Sequence, residues 1–180
     1  MGNDEPIKLY SVTDDYINYL RVKFPRIYSN KEDERAHTRK YLGAIIKENG
    51  FNYYIPLSSP KDKDFIEVDG VRKIRPNSLI VIRITSMSGG VKELKGTLQI
   101  GTMIPVPDSE LELYDVDAEP DLAYKDLVQT EIIYIRKNRH LISKYAHILY
   151  KKKMEGSTEK VVQNALDFKE VEKLCNEWKR

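Results

Sequence analysis

Tyr41-Leu42-Gly43-Ala44-Ile45-Ile46 and Phe51-Asn52-Tyr53-Tyr54-Ile55-Pro56-Leu57 stand on either side of Glu48-Asn49-Gly50. Both flanks are rich in β-branched and aromatic residues. An Asn-Gly pair between such runs supplies the two positive-φ positions that a tight hairpin turn demands. Two adjacent antiparallel strands are therefore expected, and they point away from a parallel sheet.

Upstream, Ile7–Val12 alternates and reads as a first strand. Thr13-Asp14-Asp15 reads as a helix N-cap with acids in the first turn. The helix carries Tyr16, Ile17, Tyr19, Leu20, Val22 and Phe24, and Pro25 ends it. Residues 26–38 are polar and lack a period, as a loop does. Downstream, residues 61–77 are turn-prone, with a small hairpin about Asp69-Gly70. Leu79–Thr85 reads as a buried strand broken by Ser88-Gly89-Gly90, and Leu98–Pro107 as another strand. From Leu122 to about Lys153, Ile132, Ile135, Leu141, Ile142, Tyr145, Ile148 and Leu149 recur at helical spacing, with a break at Asn138. A short helix follows over Asp167–Trp178.

Strands mostly precede helices and the connections are short, which defines an α+β class. A doubly wound nucleotide fold needs strands alternating with helices, and neither GxGxxG nor a P-loop is present. A chain of 180 residues suits one domain over 1–180. No apolar run approaches the roughly 18–20 residues that cross a bilayer. Met1 to Glu5 lack the hydrophobic stretch of a secretory signal, and a single cysteine, Cys175, excludes an internal disulfide. A cytoplasmic location is expected.

Net charge is only +2, but its distribution is uneven. Asp108 to Asp121 hold seven carboxylates and no base; Arg136 to Lys153 hold seven bases, His140 and His147, and no acid. A polyanion would meet the second block as a target, whereas the plain alternative is a solvated helix face. Twelve tyrosines add rings able to stack on bases or to line a core edge.

Candidate chemistry is sparse. The pair His140 and His147 shares a helix face without a carboxylate between Ile132 and Met154, a poor divalent site, so no metal or cofactor is expected. No GxSxG elbow surrounds Ser58 or Ser59, and Cys175 has no positioned histidine in sequence. The unusual stretch is Pro56-Leu57-Ser58-Ser59-Pro60-Lys61. After an apolar strand it presents two hydroxyls, a rigid turn and an ammonium, a way to hold a phosphate. The plain alternative is a Ser-Pro turn with an exposed lysine.

Several blocks together resemble the ToxN/AbiQ family, the toxins of type III toxin–antitoxin systems, and within it the CptN branch most. They are Leu9-Tyr10-Ser11-Val12 with Asp15-Tyr16-Ile17-Asn18-Tyr19-Leu20, Tyr41-Leu42-Gly43, Tyr53 through Lys61, Met103-Ile104-Pro105-Val106-Pro107, Tyr124-Lys125 and Ile135-Arg136-Lys137-Asn138. They follow the family's order across about residues 7–150. The resemblance implies a metal-independent endoribonuclease on a compact, strongly twisted antiparallel sheet flanked by helices, the fold of MazF/Kid-like toxins. It also implies that the toxin processes, and is silenced by, a small pseudoknot RNA antitoxin.

Carried over residue by residue, the resemblance maps the family's lysine onto Lys61 and its hydroxyl pair onto Ser58 and Ser59. Tyr16 becomes a phosphate or ribose donor, with helix–sheet packing as the alternative. Arg39 stands two residues before the Tyr-x-Gly strand, where a relative has lysine. Arginine clamps phosphate well but shuttles protons poorly, which favours electrostatic stabilisation there. His37 could supply the missing proton transfer. His37, Lys40, Lys63, Arg136, Lys137 and Lys144 are the expected RNA contacts. An RNA touching two toxin copies would close the assembly into a ring or a two-by-two complex. A non-catalytic RNA-binding module using the basic helix 136–153, and a protein-interaction domain in which Ser58–Lys61 is only a turn, are the other readings.

Overall fold

The computed structural model describes residues 5–30 and 37–179. The readings of the first four residues and of positions 31–36 lie outside the described residues. In chain order the elements are β1 (Lys8–Val12), α1 (Asp14–Lys23), β2 (Tyr41–Glu48), β3 (Phe51–Ser58), β4 (Phe65–Val68), β5 (Val71–Ile74), β6 (Ile82–Ser88) and β7 (Val91–Leu98). They continue with β8 (Ile104–Pro105), β9 (Leu111–Leu113), α2 (Leu122–Lys137), α3 (Arg139–Met154), α4 (Lys160–Gln163) and α5 (Phe168–Glu177).

The β2–β3 hairpin is as the Asn-Gly pair requires. Asn49 and Gly50 take φ of 51° and 79°, which matches the strands' right-handed twist. The register runs Glu48↔Phe51 and Ile46↔Tyr53, then shifts before Leu42↔Ile55. Gly43 lies in that irregular stretch. A Cβ there would come within 2.6 Å of Tyr54 Cε1 and 2.7 Å of Tyr10 Cε2. Those two rings meet edge-to-face at 5.6 Å, so the missing side chain is what lets them close over the strand.

Among the described residues seven strands form one antiparallel sheet, β6-β7-β3-β2-β1-β9, with β8 also paired to β3. This is the α+β architecture expected. Asp69 and Gly70, with φ of 51° and 75°, turn a separate two-stranded sheet of β4 and β5.

Other boundaries differ from expectation. The strand expected over 79–85 starts at Ile82 and runs to Ser88. Gly89-Gly90, with φ of 56° and 79°, does not break it but turns it into β7. Sequence reading misses β7 because Val91-Lys92-Glu93-Leu94-Lys95 lies at a half-exposed hairpin tip and has no apolar face to bury. The strand expected over 98–107 is instead the end of β7, a 3-10 turn over Ile100–Thr102, and the two-residue β8. The acidic segment holds β9, which pairs with β1.

Thr13 does not cap α1 with its side chain. Its hydroxyl donates to Glu110 Oε2 at 2.7 Å, and Trp178 Nε1 donates to Glu110 Oε1 at 2.8 Å. Helix α2 packs on β6 and β7, α3 on β2, and α5 against β8. The apolar faces of α2 and α3 bury Val128, Ile135, Ile142, Ala146 and Leu149. Glu172 on α5 accepts hydroxyl bonds from Tyr53 (2.6 Å) and Tyr150 (2.7 Å) and an amide bond from Asn49 (3.0 Å). The buried carboxylate is thereby satisfied, and α5 is tied to the β2–β3 turn. Much of the tyrosine surplus goes into this core: Tyr16, Tyr41, Tyr53 and Tyr54 are all buried.

Candidate active site

Strand β3 runs out at Ser58, and the chain then turns through Ser59-Pro60-Lys61 into a 3-10 turn over Asp62–Asp64. Asp64 closes that turn. Its backbone N–H donates to the Lys61 carbonyl and its Oδ2 accepts the Lys61 N–H, each at 2.9 Å. Its other oxygen accepts from Arg83 Nη2 at 3.1 Å and Nε at 3.3 Å. Arg83, on β6, also donates to the Pro76 carbonyl at 2.7 Å, and its N–H to Asn77 Oδ1 at 2.7 Å. Only 1% of Asp64 and 7% of Arg83 is exposed. Removing either partner would strand a buried charge at a cost of about 3–5 kcal/mol.

The clamp leaves the Lys61 side chain exposed. Its Nζ stands 5.6 Å from the centroid of the Tyr28 ring, and the Arg39 guanidinium lies over the same ring at 4.2 Å. Arg39 itself is 2% exposed and donates from Nη1 to the Leu57 carbonyl at 2.8 Å. It is thus a cation fixed beneath the site, not a fork presented to solvent, as a purely electrostatic role would have it. Ser58 is buried with its Oγ 3.4 Å from the Ser59 carbonyl, whereas Ser59 is exposed. A cleft of about 600 Å³ opens beside these residues, lined by Lys61, Lys63, Tyr28, Arg26, Gln99 and Thr102 among others. Sequence reading misses Tyr28 because it lies in an aperiodic loop; only the pairing of β2 with β3 brings it over Arg39.

Lys61, Lys63, Ser58, Ser59 and Arg39 therefore converge on one strand end. Tyr16 does not join them. Its ring is fully buried, its hydroxyl donates to the Pro105 carbonyl at 2.7 Å, and its edge meets Trp178. Burial pushes the phenol far above its ordinary range. Tyr16 is a helix–sheet packing residue, and the expected phosphate donor is corrected.

Lys40, next to Arg39, faces the other way. It is 8% exposed, donates to the Thr38 carbonyl at 2.6 Å, and lies 4.6 Å from the Tyr114 ring and 5.8 Å from that of Tyr124. His37 stacks on Tyr124 at 3.7 Å and meets Asp121 Oδ2 at 3.0 Å. Asp121 accepts the Tyr124 N–H as well as the His37 contact, and both hold its carboxyl below the usual range. His37 and Lys40 thus belong to an aromatic cluster at the start of α2, in which Lys40 is buried and His37 half-buried.

The basic block is divided. Asn138 ends α2 and its side chain donates to the Tyr134 carbonyl at 2.8 Å, so Arg136 and Lys137 close one helix while Lys144 sits on the next. The break expected at Asn138 is thus where the basic block divides. Lys152 pairs with Glu159, Lys153 reaches the Gln163 carbonyl at 3.3 Å, and His147 contacts Glu48 at 2.5 Å. Arg136, Lys137, Lys144 and Lys151 remain exposed.

Two further titratable groups lie away from the cleft. Burial pushes the Cys175 thiol up, which suits an inert packing role. Burial also pushes Glu131, on α2, up to about 7; its carboxylate fills the space that a Cβ at Gly96 would take, 2.7 Å away. Among the described residues no group of three or more His, Cys, Asp or Glu side chains could hold a metal ion, and no helix is long and apolar enough to cross a membrane.

Sequence and fold together place the chain among the toxins of type III toxin–antitoxin systems. Residues 8–176 match the family model of Toxin ToxN of type III toxin–antitoxin systems, and the chain belongs to that family. It is 34% identical to Endoribonuclease AbiQ of Lactococcus lactis subsp. lactis over 166 residues, covering 92% of this chain and 86% of that protein. It is 27% identical to Endoribonuclease ToxN of Bacillus thuringiensis subsp. kurstaki over 186 residues, covering 99% and 88%. Among solved structures, the lactococcal anti-phage endoribonuclease AbiQ superposes with a TM-score of 0.72 at 28% identity, over 96% of this chain and 98% of that one. A type III toxin studied for selective inhibition by a non-coding RNA pseudoknot shares the fold, with a TM-score of 0.78 at 24% identity over 96% and 98%.

Proposed function

We propose that this protein is a sequence-specific endoribonuclease toxin that cuts RNA without a metal ion. The ribose 2′-OH attacks the adjacent phosphate, the 5′-oxygen leaves, and the products are a 2′,3′-cyclic phosphate and a 5′-hydroxyl. The observation that carries this reading is the Lys61 ammonium, exposed at the mouth of a cleft of about 600 Å³ and set there by a buried backbone clamp. The charge building on the phosphorane needs fixed positive charge and donors aimed at it. Lys61 supplies the first, and the Ser59 hydroxyl, beside the buried Ser58, supplies a donor to a nonbridging oxygen. Arg39 adds a second positive charge from below, through a medium that screens it less than water does.

The endoribonuclease names of the AbiQ and ToxN relatives support the same reading. On that footing the partners are cellular or phage RNA and a small pseudoknot RNA antitoxin, which the toxin trims and which then fills the substrate track. RNA and toxin would assemble into a closed hetero-oligomer in the cytoplasm. Residues 1–180 would act as one domain whose sheet is the MazF/Kid-like scaffold. Incubating purified protein with labelled RNA in excess EDTA is the test. Cleavage to cyclic phosphate ends is expected. A strict Mg²⁺ requirement or a 5′-phosphate on the downstream fragment overturns the mechanism, and binding without cleavage leaves only an RNA-binding module.

A further inference from the structure

Behind Ser58 runs a short polar relay. The buried Thr97 pairs with Ser58 across β7 and β3, and its hydroxyl donates to the Ser58 carbonyl at 3.4 Å. With that proton committed, its lone pair accepts from Gln99 Nε2 at 2.7 Å. The Gln99 backbone is held on both sides: its N–H donates to the Pro56 carbonyl at 3.0 Å, and its carbonyl accepts the Thr102 N–H at 3.1 Å and the Thr102 hydroxyl at 3.2 Å. The Thr97 hydroxyl, donating to Ser58, turns the amide nitrogen toward itself and the amide oxygen toward the cleft. Gln99 is 7% exposed and lines the cleft beside Lys61, and among the described residues no donor reaches its Oε1. A glutamine held this way presents an acceptor to whatever enters.

We propose that the cleft is a base-reading subsite in which Gln99 reads the purine C6 or pyrimidine C4 edge and selects adenine and cytosine, which carry an amine there, over guanine and uracil, which carry a keto oxygen there, at one position flanking the scissile phosphate. The inference rests on the ribonucleolytic reading above and deepens it. An amine donor pairs with Oε1. A keto oxygen at the same place sets two acceptors against each other and leaves both unsatisfied, which one hydrogen bond's worth of discrimination puts at about tenfold. Adenine can in addition offer N7 to a second amide proton. The cleft volume, about 600 Å³, lies within the range of about 300–1,000 Å³ common for small-ligand sites.

The test is cleavage of a randomised single-stranded RNA by the whole protein, with the new ends sequenced. Wild type should favour adenine plus cytosine over guanine plus uracil by about tenfold at one fixed position beside the cut. Gln99→Met should bring that ratio close to one while cutting continues. Gln99→Glu, which keeps acceptor oxygens, should retain the preference even if every rate falls; a merely structural role for Gln99 would alter rates and leave the ratio alone. Should Gln99→Met fail to fold, purine riboside or inosine in place of adenosine at that position tests the amine from the substrate side, and wild type should cut either about tenfold more slowly. A wild-type preference for keto bases, an unchanged ratio in Gln99→Met, or indifference to the missing amine overturns the subsite and leaves the nuclease standing. Wild type that cuts no RNA overturns both.

Discussion

Asp64 holds Lys61 by its backbone and leaves its ammonium alone: the carboxylate accepts the Lys61 N–H at 2.9 Å while its other oxygen is occupied by Arg83. The residue that positions the cation therefore does not neutralise it.

Lys61→Ala should lose at least about two decades of RNA cleavage, the scale for removing a charge-stabilising group. Because the Lys61 side chain is exposed, urea midpoints should match wild type. Wild-type toxicity of the Ala variant, expressed without antitoxin, would remove Lys61 from the site.

Asp64→Ala and Arg83→Ala should each destabilise by about 3–5 kcal/mol, since each strands a buried charge. The double variant should cost clearly less than the sum, because neither charge is then left behind. Additive costs in a double-mutant cycle by urea denaturation would mean that the pair is not coupled.

Glu131 should make stability fall as pH rises. Burial lifts its folded pKa from an ordinary 4.5 to about 7, so between those values the unfolded chain sheds a proton that the folded protein keeps. Below pH 4.5 there is no penalty, and above 7 it is complete, on the order of 3 kcal/mol. Glu131→Gln should be more stable than wild type at pH 8 and equal to it near pH 4. A difference that does not vary with pH in thermal melts would exclude the effect.

Gly43→Ala should destabilise by about 1–3 kcal/mol, the range for overpacking, because the new methyl meets the Tyr10 and Tyr54 rings. Tyr54→Leu in the same background should recover part of that loss by removing one of the two rings. Denaturation of both variants decides it.

Replacing Arg136, Lys137 and Lys144 together by Ala should weaken binding of a folded RNA and flatten its salt dependence by up to about 0.7–0.9 log units per lost phosphate contact. Cleavage of a short single-stranded substrate should be spared. An unchanged salt slope would make these residues a solvated surface.

What the sequence discloses is what depends on neighbours in the chain. Asn49-Gly50 and Asp69-Gly70 announce their turns, Asn138 the break between α2 and α3, and Asp167 the start of α5, because each acts through local backbone geometry. The Ser58–Lys61 block is legible for the same reason. What stays hidden depends on partners far along the chain. Asp64 finds Arg83 nineteen residues on, and Tyr28 meets Arg39 only after β2 is paired. Strand β9 is masked by the acids around it. Lys40 is the sharpest case: adjacent backbone positions point to opposite sides, so two neighbouring cations enter two different environments.

The Glu172 clamp has a consequence for the order of events on the ribosome. Tyr53 sits on the strand that ends in the Ser58–Lys61 block, yet the carboxylate that receives its hydroxyl lies 119 residues downstream. Tyr19, in the first helix, waits for the carbonyl of Leu174, 155 residues away. A nascent chain thus exposes its Ser58–Lys61 block early, over a scaffold whose buried hydroxyls still lack acceptors. Translation has to pass α5 before those hydroxyls can be satisfied, so a ribosome stalled earlier would release a chain whose core is left with buried, unpartnered hydroxyls.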